Sequence, residues 1–382
     1  MGRLIAFVLV LGLTTGQAFA QTAETLRLPF PYIFSGPLIE YGERVWNHAL
    51  IPAVEEINRK GGIKGRKLEF YKIDTRFPDT AQWVAEFRRL CADPAVPVIY
   101  GVGATKSTLA IYEDTNKCGV TVFNPSSAGQ WPHPDFGRWT FRYQPTASNV
   151  YPIMFARVKE IFGTKTAIVS YTLDDEYAVN NVKVVRQALG ALGIDVLGET
   201  SFKSKESNFA SHVASIRAVN PDVIVLNHQA GDAGTFLLQL RERGIKAQVV
   251  SDTVVVNEDY WRLSKGEGKG SIGYGIYAAD DPRPIVQEWV ATWRKLTGRA
   301  SESPDNIVTA YYDTIKVLAH VLNEAKDLSR ESVRDAFLRL KDFETVSGPV
   351  SWPTVGDPVR TRPVMVQIDE NGAPRSWPKR SS

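Results

Sequence analysis

The sequence predicts an α/β protein of two lobes, each built on a parallel sheet. Two observations carry most of that prediction. Short apolar runs rich in Val and Ile alternate with amphipathic stretches of helical period. The 382 residues also make about two domains at ~100–200 residues each. A third observation concerns how the domains connect. The strand–helix rhythm falters near 131–145, 272–277 and 343–353, as it would if the chain crossed three times between lobes.

Residues 1–20 stand apart. Arg3 is their only charge, residues 4–13 are an apolar run, and Ala18-Phe19-Ala20 precedes Gln21. A positive start, a short apolar run and an A-x-A end predict a cleavable signal peptide. The run is half the ~20 residues a spanning helix needs. Its removal takes the net charge from +3 to +2, since Arg3 is the one charge lost. A soluble exported protein is expected.

The elements then follow in order. A helix is expected over 43–59, stopped by Gly61 and Gly62. Residues 67–73 (KLEFYKI) alternate at period two, as a half-buried strand does. Residues 96–100, 120–123, 166–171, 222–226 and 247–250 are short apolar runs that read as strands covered on both faces. Between them lie helical patterns at 80–90, 107–116, 148–161, 178–192, 209–219 and 233–243. Several end at Gly (Gly163, Gly193, Gly244), the usual residue after a helix. Three more helices are expected over 285–296, 305–325 and 331–340, and a strand at 363–368. The expected lobes are 21–145 plus 278–345, and 146–277 plus 346–382. The cleft between such lobes is the default ligand site.

Composition excludes several chemistries. A net charge of +3 is no polycationic footprint for nucleic acid. The five His (His48, His133, His212, His228, His320) have no metal-ligand spacing, so no metal and no cofactor are expected. Two Cys are too few for a disulfide scaffold. Export permits a bond between Cys91 and Cys118, each at the end of a helical stretch; two buried thiols are the alternative.

Motifs for catalysis are missing. The sequence has no G-x-S-x-G, P-loop or H-E-x-x-H, and Gly101-Val102-Gly103 lacks the third glycine of a dinucleotide loop. Asp174-Asp175-Glu176 is an acidic cluster, more often a helix N-terminal charge than an acid–base pair. Two polar loops say more. Ala104-Thr105-Lys106-Ser107 and Asn124-Pro125-Ser126-Ser127 each follow a strand. Ligands in open α/β sheets lie beyond the carboxyl ends of strands. A helix start there offers N–H groups to a carboxylate; plain N-capping by Thr105 or Ser107 is the competing reading. Lys106 would add positive charge if it faced the ligand, though a first-turn Lys is usually solvated. Tyr311 and Tyr312 fit core packing better than a hinge.

One long pattern is more specific. Ser35-Gly36-Pro37, Tyr41-Gly42, the run from Glu56 to Leu68 (EINRKGGIKGRKL) and Asp74 occur in order, followed by Ile111 to Asp114 (IYED), Asn124-Pro125-Ser126, Arg142, Pro145 and Gly244-Ile245-Lys246. This resembles the leucine/isoleucine/valine-binding proteins, periplasmic solute receptors of ABC importers, across nearly the whole chain after residue 20. The resemblance implies a type I periplasmic binding protein with two Rossmann-like lobes that close on a ligand. It implies that Ala104 and Thr105 bind the ligand's carboxylate, that Ser126 and Ser127 add contacts, that Tyr41 covers the ligand and that Tyr177 seals the closed cleft.

The departures bear on the ligand. Ala104 stands where the family usually has Ser, and Ala128 where a Thr is usual. Asn227-His228-Gln229-Ala230 replaces a Tyr-rich loop. The family's Glu for an ammonium meets Thr253 by direct register, and Asp252 by a one-residue slip. If Asp252 faces the cleft, an amino acid fits; if Thr253 does, an amine-free carboxylate gains ground, because burying an unpaired charge is costly. His228 either meets ligand or bonds locally at a strand end. The expected function is capture of a branched-chain or other aliphatic amino acid by a periplasmic monomer and its delivery to an ABC permease. An amine-free aromatic or aliphatic carboxylate, or a ligand-sensing role on the same fold, is the alternative. No catalysis and no nucleic-acid partner are expected.

Overall fold

The computed structural model describes residues 24–127, 137–360 and 364–378. The expected signal peptide and Ala128 lie outside them.

The first lobe begins with strand Thr25–Tyr32, parallel to Lys67–Asp74 in direct register. Three short parallel strands continue the layer: Val98–Tyr100, Thr121–Asn124 and Thr140–Arg142. The Val102 N–H donates to the Pro31 carbonyl at 2.6 Å and ties the two groups together. Side chains alternate between two faces, as pleating requires. Leu28, Phe30, Val98 and Tyr100 pack with Trp289 and Leu318. Ile73, Ile99 and Val122 pack with Trp83 and Phe87 on the other side. Each such side chain removed from water contributes about 1.5–3 kcal/mol.

The second lobe holds a seven-stranded sheet. Asp195–Phe202, Thr166–Thr172, Val223–Asn227, Gln248–Ser251 and Ile272–Gly275 run parallel in that spatial order. Val364–Ile368 and Pro374–Ser376 extend it antiparallel. The run Val223 to Leu226 shows why its apolar residues are consecutive. Ile224 and Leu226 enter one core cluster, Val223 and Val225 the opposite one. Both faces are covered by helices, so neither needs a polar set.

The helices match the sequence pattern with informative differences. The stretch expected as one helix over 43–59 is Ile39–Val45, a wider π turn Trp46–Leu50, and Ile51–Arg59. Pro52 follows the π turn directly and has no N–H to give to the preceding turn, where the helix changes its winding. The stretch expected over 107–116 is two helices, Thr105–Ala110 and Tyr112–Cys118, meeting at Ile111.

The chain crosses between lobes near 145 and near 276, and a third time before strand Val364–Ile368, which pairs with Ile272–Gly275. The last crossing corrects the expected boundary at 346. Trp352 is fully buried in the first-lobe core against Phe123 and Phe337. Its indole N–H donates to the Arg142 carbonyl at 3.1 Å, and Gly356 bridges Phe141. Residues 346–360 therefore pack with the first lobe.

Cys91 and Cys118 are joined by a disulfide, with Cα atoms 5.5 Å apart. Arg330 reaches the same place, donating to the carbonyls of Cys91 (2.9 Å), Asp93 (2.7 Å) and Cys118 (3.2 Å). Among the described residues, no helix is long and apolar enough to cross a membrane, and no group of His, Cys, Asp and Glu could hold a metal ion.

Candidate ligand-binding site

A cavity of about 90 Å³ lies between the lobes. It suits a small molecule and is far below the ~300–1,000 Å³ of drug-sized sites. Tyr32, Tyr41, Phe77 and Ile307 wall it from the first lobe, with Gly103 to Lys106 and Ser126 beside them. Asp175, Tyr177, Gln229, Thr253, Val254 and Asn257 face them from the second.

The first-lobe floor is a turn that only small residues permit. A Cβ on Gly103 would stand 2.4 Å from the Tyr32 ring, so the backbone can lie on that ring only as glycine. Ala104 is then extended (φ −106°, ψ 153°) at the start of helix Thr105–Ala110, and no side chain caps that start. The capping reading for Thr105 and Ser107 therefore falls. The first-turn N–H groups of a helix have no acceptor within it and carry partial positive charge. The Thr105 and Ser127 hydroxyls are 3.2 Å apart. Ser126 Oγ donates to the Gly103 carbonyl at 2.5 Å and lies 3.2 Å from the Tyr311 hydroxyl. Asn124 fixes both serines: its Oδ1 accepts from the N–H of Ser126 (3.0 Å) and Ser127 (2.8 Å). Lys106 also lines the cavity, where a solvated position was the more usual outcome.

The second-lobe wall comes from three loops after strands. Asp175 caps helix Glu176–Ala191 by accepting from the Tyr177 N–H at 3.0 Å. Gln229 Nε2 donates to the other oxygen of Asp175 at 2.7 Å. Burial, followed by the neighbouring acids Asp174, Asp232 and Glu176 against the Gln229 bond, pushes the Asp175 carboxyl up to about 6. Thr253 and Val254 enter from the turn after Gln248–Ser251.

Asp252 does not line the cavity. It is fully buried, its Oδ1 accepts from the Val254 N–H at 3.0 Å, and its Oδ2 accepts from the Tyr177 hydroxyl and from Asn181 Nδ2. Burial pushes it up to about 7. The capping bond explains the outcome: it turns the Asp252 side chain back onto the Val254 N–H, while its neighbour Thr253 lines the cavity. The expected contact between Asp252 and ligand is corrected on that ground.

His228 is corrected too. It is fully buried, with Nε2 2.8 Å from Ser170 Oγ and Nδ1 2.8 Å from Thr172 Oγ1, and it stacks on Phe202 at 4.2 Å. Its ring joins the second-lobe core, and burial pulls its pKa down to about 3. Ser127 stands one layer behind the cavity wall, reaching it through Thr105. Tyr41, Ala104, Thr105, Ser126 and Tyr177 do come together around the cavity.

The lining residues that sequence reasoning missed are Asp175 and Gln229; Thr253, weighed against Asp252 by direct register, does line the cavity. Gln229 sat in the loop whose departure was noticed, one position from the His228 that drew attention. Asp175 was seen only as part of an acidic cluster.

Two lobes joined by three crossings thus enclose a small cavity walled by both. The sequence matches the periplasmic binding protein family over residues 25–373, and the chain belongs to that family. An amino acid binding protein of Pseudomonas aeruginosa is 24% identical over 344 residues, covering 88% of each chain. The LivJ substrate-binding protein of Streptococcus pneumoniae in complex with isoleucine has a TM-score of 0.81 at 21% identity, covering 92% of this chain and 98% of that one. A solute-binding protein of an ABC transporter from R. palustris in complex with benzoate has a TM-score of 0.81 at 15% identity, covering 92% and 95%. The chain is thus a periplasmic-type binding protein with the fold of these receptors.

Proposed function

We propose that this protein captures a small amino acid between its lobes in the periplasm and delivers it to an ABC permease. The observation that carries the reading is the uncapped start of helix Thr105–Ala110 in the cavity wall. Free N–H groups, the Thr105 hydroxyl and Lys106 together make a receiver for a carboxylate. Tyr32, Tyr41 and Ile307 offer an apolar surround for an aliphatic side chain. The N-terminal twenty residues carry the export pattern that such a role needs. The amino-acid binding named for the P. aeruginosa and S. pneumoniae proteins supports the same class of ligand.

A second reading has its own observation. Thr253, not Asp252, lines the cavity. An amine-free acid such as benzoate, the ligand of the R. palustris protein, would need no carboxylate at that position.

A thermal-shift screen separates the two. It would use the twenty amino acids and a set of amine-free aliphatic and aromatic acids. A ligand at 100 times its Kd stabilises the protein by about 2.7 kcal/mol. The amino-acid reading expects such a shift from at least one aliphatic amino acid. Shifts confined to amine-free acids would replace it with the second reading.

A further inference from the structure

We propose that Asp175, held by Gln229, is the ammonium partner of the ligand. This inference rests on the amino-acid reading above and deepens it.

The argument starts from what a desolvated cavity requires. An α-ammonium taken out of water needs an anionic acceptor. Of the residues that line the cavity, Thr253 offers only a neutral hydroxyl. Asp252 is spent on Val254, Tyr177 and Asn181. Asp175 does line the cavity, on the lobe opposite the carboxylate receiver.

Its ordinary role would be that of an N-cap, and that role uses one oxygen only. Three features exceed it. The residue is 6% exposed, whereas a cap needs no burial. Its second oxygen is held by Gln229 Nε2 at 2.7 Å, from a separate loop that also lines the cavity. The nearest charges that act on it are acids, Asp174, Asp232 and Glu176, all of which oppose its ionisation. A carboxylate desolvated among acids gains most from a cation brought to it. Each of its oxygens keeps a lone pair beyond the bond already made. Thr253 Oγ1 then offers a neutral acceptor for another ammonium proton. The zwitterion is then met at both ends, its carboxylate by the first lobe and its ammonium by the second.

An amine-free acid would fare differently. It would bring no cation to Asp175 and would place its own negative charge in the same small cavity.

The test is isothermal titration of the wild type, Asp175→Asn and Gln229→Leu. The probes are the tightest-binding of the twenty amino acids and the amine-free acid with the same side chain. Asn at 175 keeps an oxygen for the Tyr177 N–H, so the helix start survives; the unbound melting temperature checks this. Asp175→Asn is expected to weaken the amino acid by about 30-fold or more. It should leave the amine-free acid unchanged or bound more tightly. Gln229→Leu should weaken the amino acid by a smaller factor, because it disorients the carboxylate without removing it. If the amino acid binds wild type and Asp175→Asn equally, the inference fails while the amino-acid reading stands. If wild type binds no amino acid but binds amine-free acids, the reading itself fails and takes the inference with it. Should Asp175→Asn not fold, an unchanged affinity in Gln229→Leu would overturn the inference.

Discussion

Arg44 of the first lobe donates to Asp259 of the second through two parallel hydrogen bonds, Nη1 to Oδ1 and Nη2 to Oδ2, each 3.0 Å long. Both side chains are close to buried, at 10% and 8% exposure. The guanidinium also lies over the ring of Tyr41 at 5.0 Å, and Tyr41 walls the cavity. A second pair, Arg299 to Glu258 at 2.7 Å, spans the same seam. Burial raises the Asp259 carboxyl, but the two Arg44 bonds outweigh it and hold the acid below its usual range. A bidentate pair at this depth fixes geometry as well as energy.

This pair is expected to act as a latch on the closed state. Arg44→Met keeps an unbranched stem and removes the fork. Asp259 retains a partner, since Arg262 donates to it at 2.9 Å, whereas the buried Asp305, 3.7 Å from Arg44, loses its cation, so a lower unfolding free energy is expected beside the effect on closure. The closed population should fall, and apparent affinity falls with the competent fraction. The expected result is an apparent Kd about tenfold higher and a larger radius of gyration for the ligand-free protein in solution scattering. Identical scattering and affinity in the variant would mean the pair does not govern closure.

Asp252 gives a prediction about pH. Its folded pKa is about 7, raised by burial, against an unfolded value near 3.8. The native state therefore holds a proton that the unfolded state has lost between those values. Stability from this group is full below about 3.8 and is lost as pH rises through about 7. His228 runs the other way: its folded pKa is about 3, so stability falls as pH drops from 6.5 toward 3. Comparing Asp252→Asn with wild type cancels the histidine. Urea unfolding at pH 5 and pH 8 should show the variant gaining relative to wild type at the higher pH. A difference that stays constant, or runs in the opposite sense, would show that Asp252 is not held protonated. Affinity for ligand should change by less than about threefold, since the carboxyl faces away from the cavity.

The two acids also show where sequence reading reached its limit. Register counted along one strand put a carboxylate at 252 or 253 and could not say which side faced the cleft. Both residues lie past the end of Gln248–Ser251, in a capped 3-10 turn whose side-chain directions strand register does not fix. Asp175 was out of reach for another reason. It lies far along the chain from 253, and only the packing of two loops after separate strands brings it beside the cavity. The parallel strands were legible because burial on both faces leaves uninterrupted Val and Ile, as in Val223 to Leu226. Thr25–Tyr32 was not, because Pro29 and Pro31 argue against a strand. Asp195–Phe202 was hidden by its position at the sheet edge, where it keeps charged and polar residues. The carboxylate receiver was legible as a polar loop between strand and helix, since the chemistry there is mostly backbone.

The last prediction concerns the bond between Cys91 and Cys118. It closes a loop with a sequence separation of 27, which in the chain-entropy model stabilises the fold by about 3.5 kcal/mol. Cys91→Ala with Cys118→Ala should lower unfolding free energy by roughly that amount. Arg330 ties the same two helix ends through their carbonyls, so the local arrangement should persist without the sulfurs. Ligand affinity is then expected to stay within about twofold, because the cavity wall is held by Asn124 and Gly103 rather than by the disulfide. Arg330→Met should cost more in the cysteine-free protein than in the wild type, since each restraint hides the loss of the other. Coupling of about 0.5–3 kcal/mol is typical of residues that share partners in this way. Strictly additive losses in the double-mutant cycle would show that the guanidinium and the disulfide act on separate parts of the lobe.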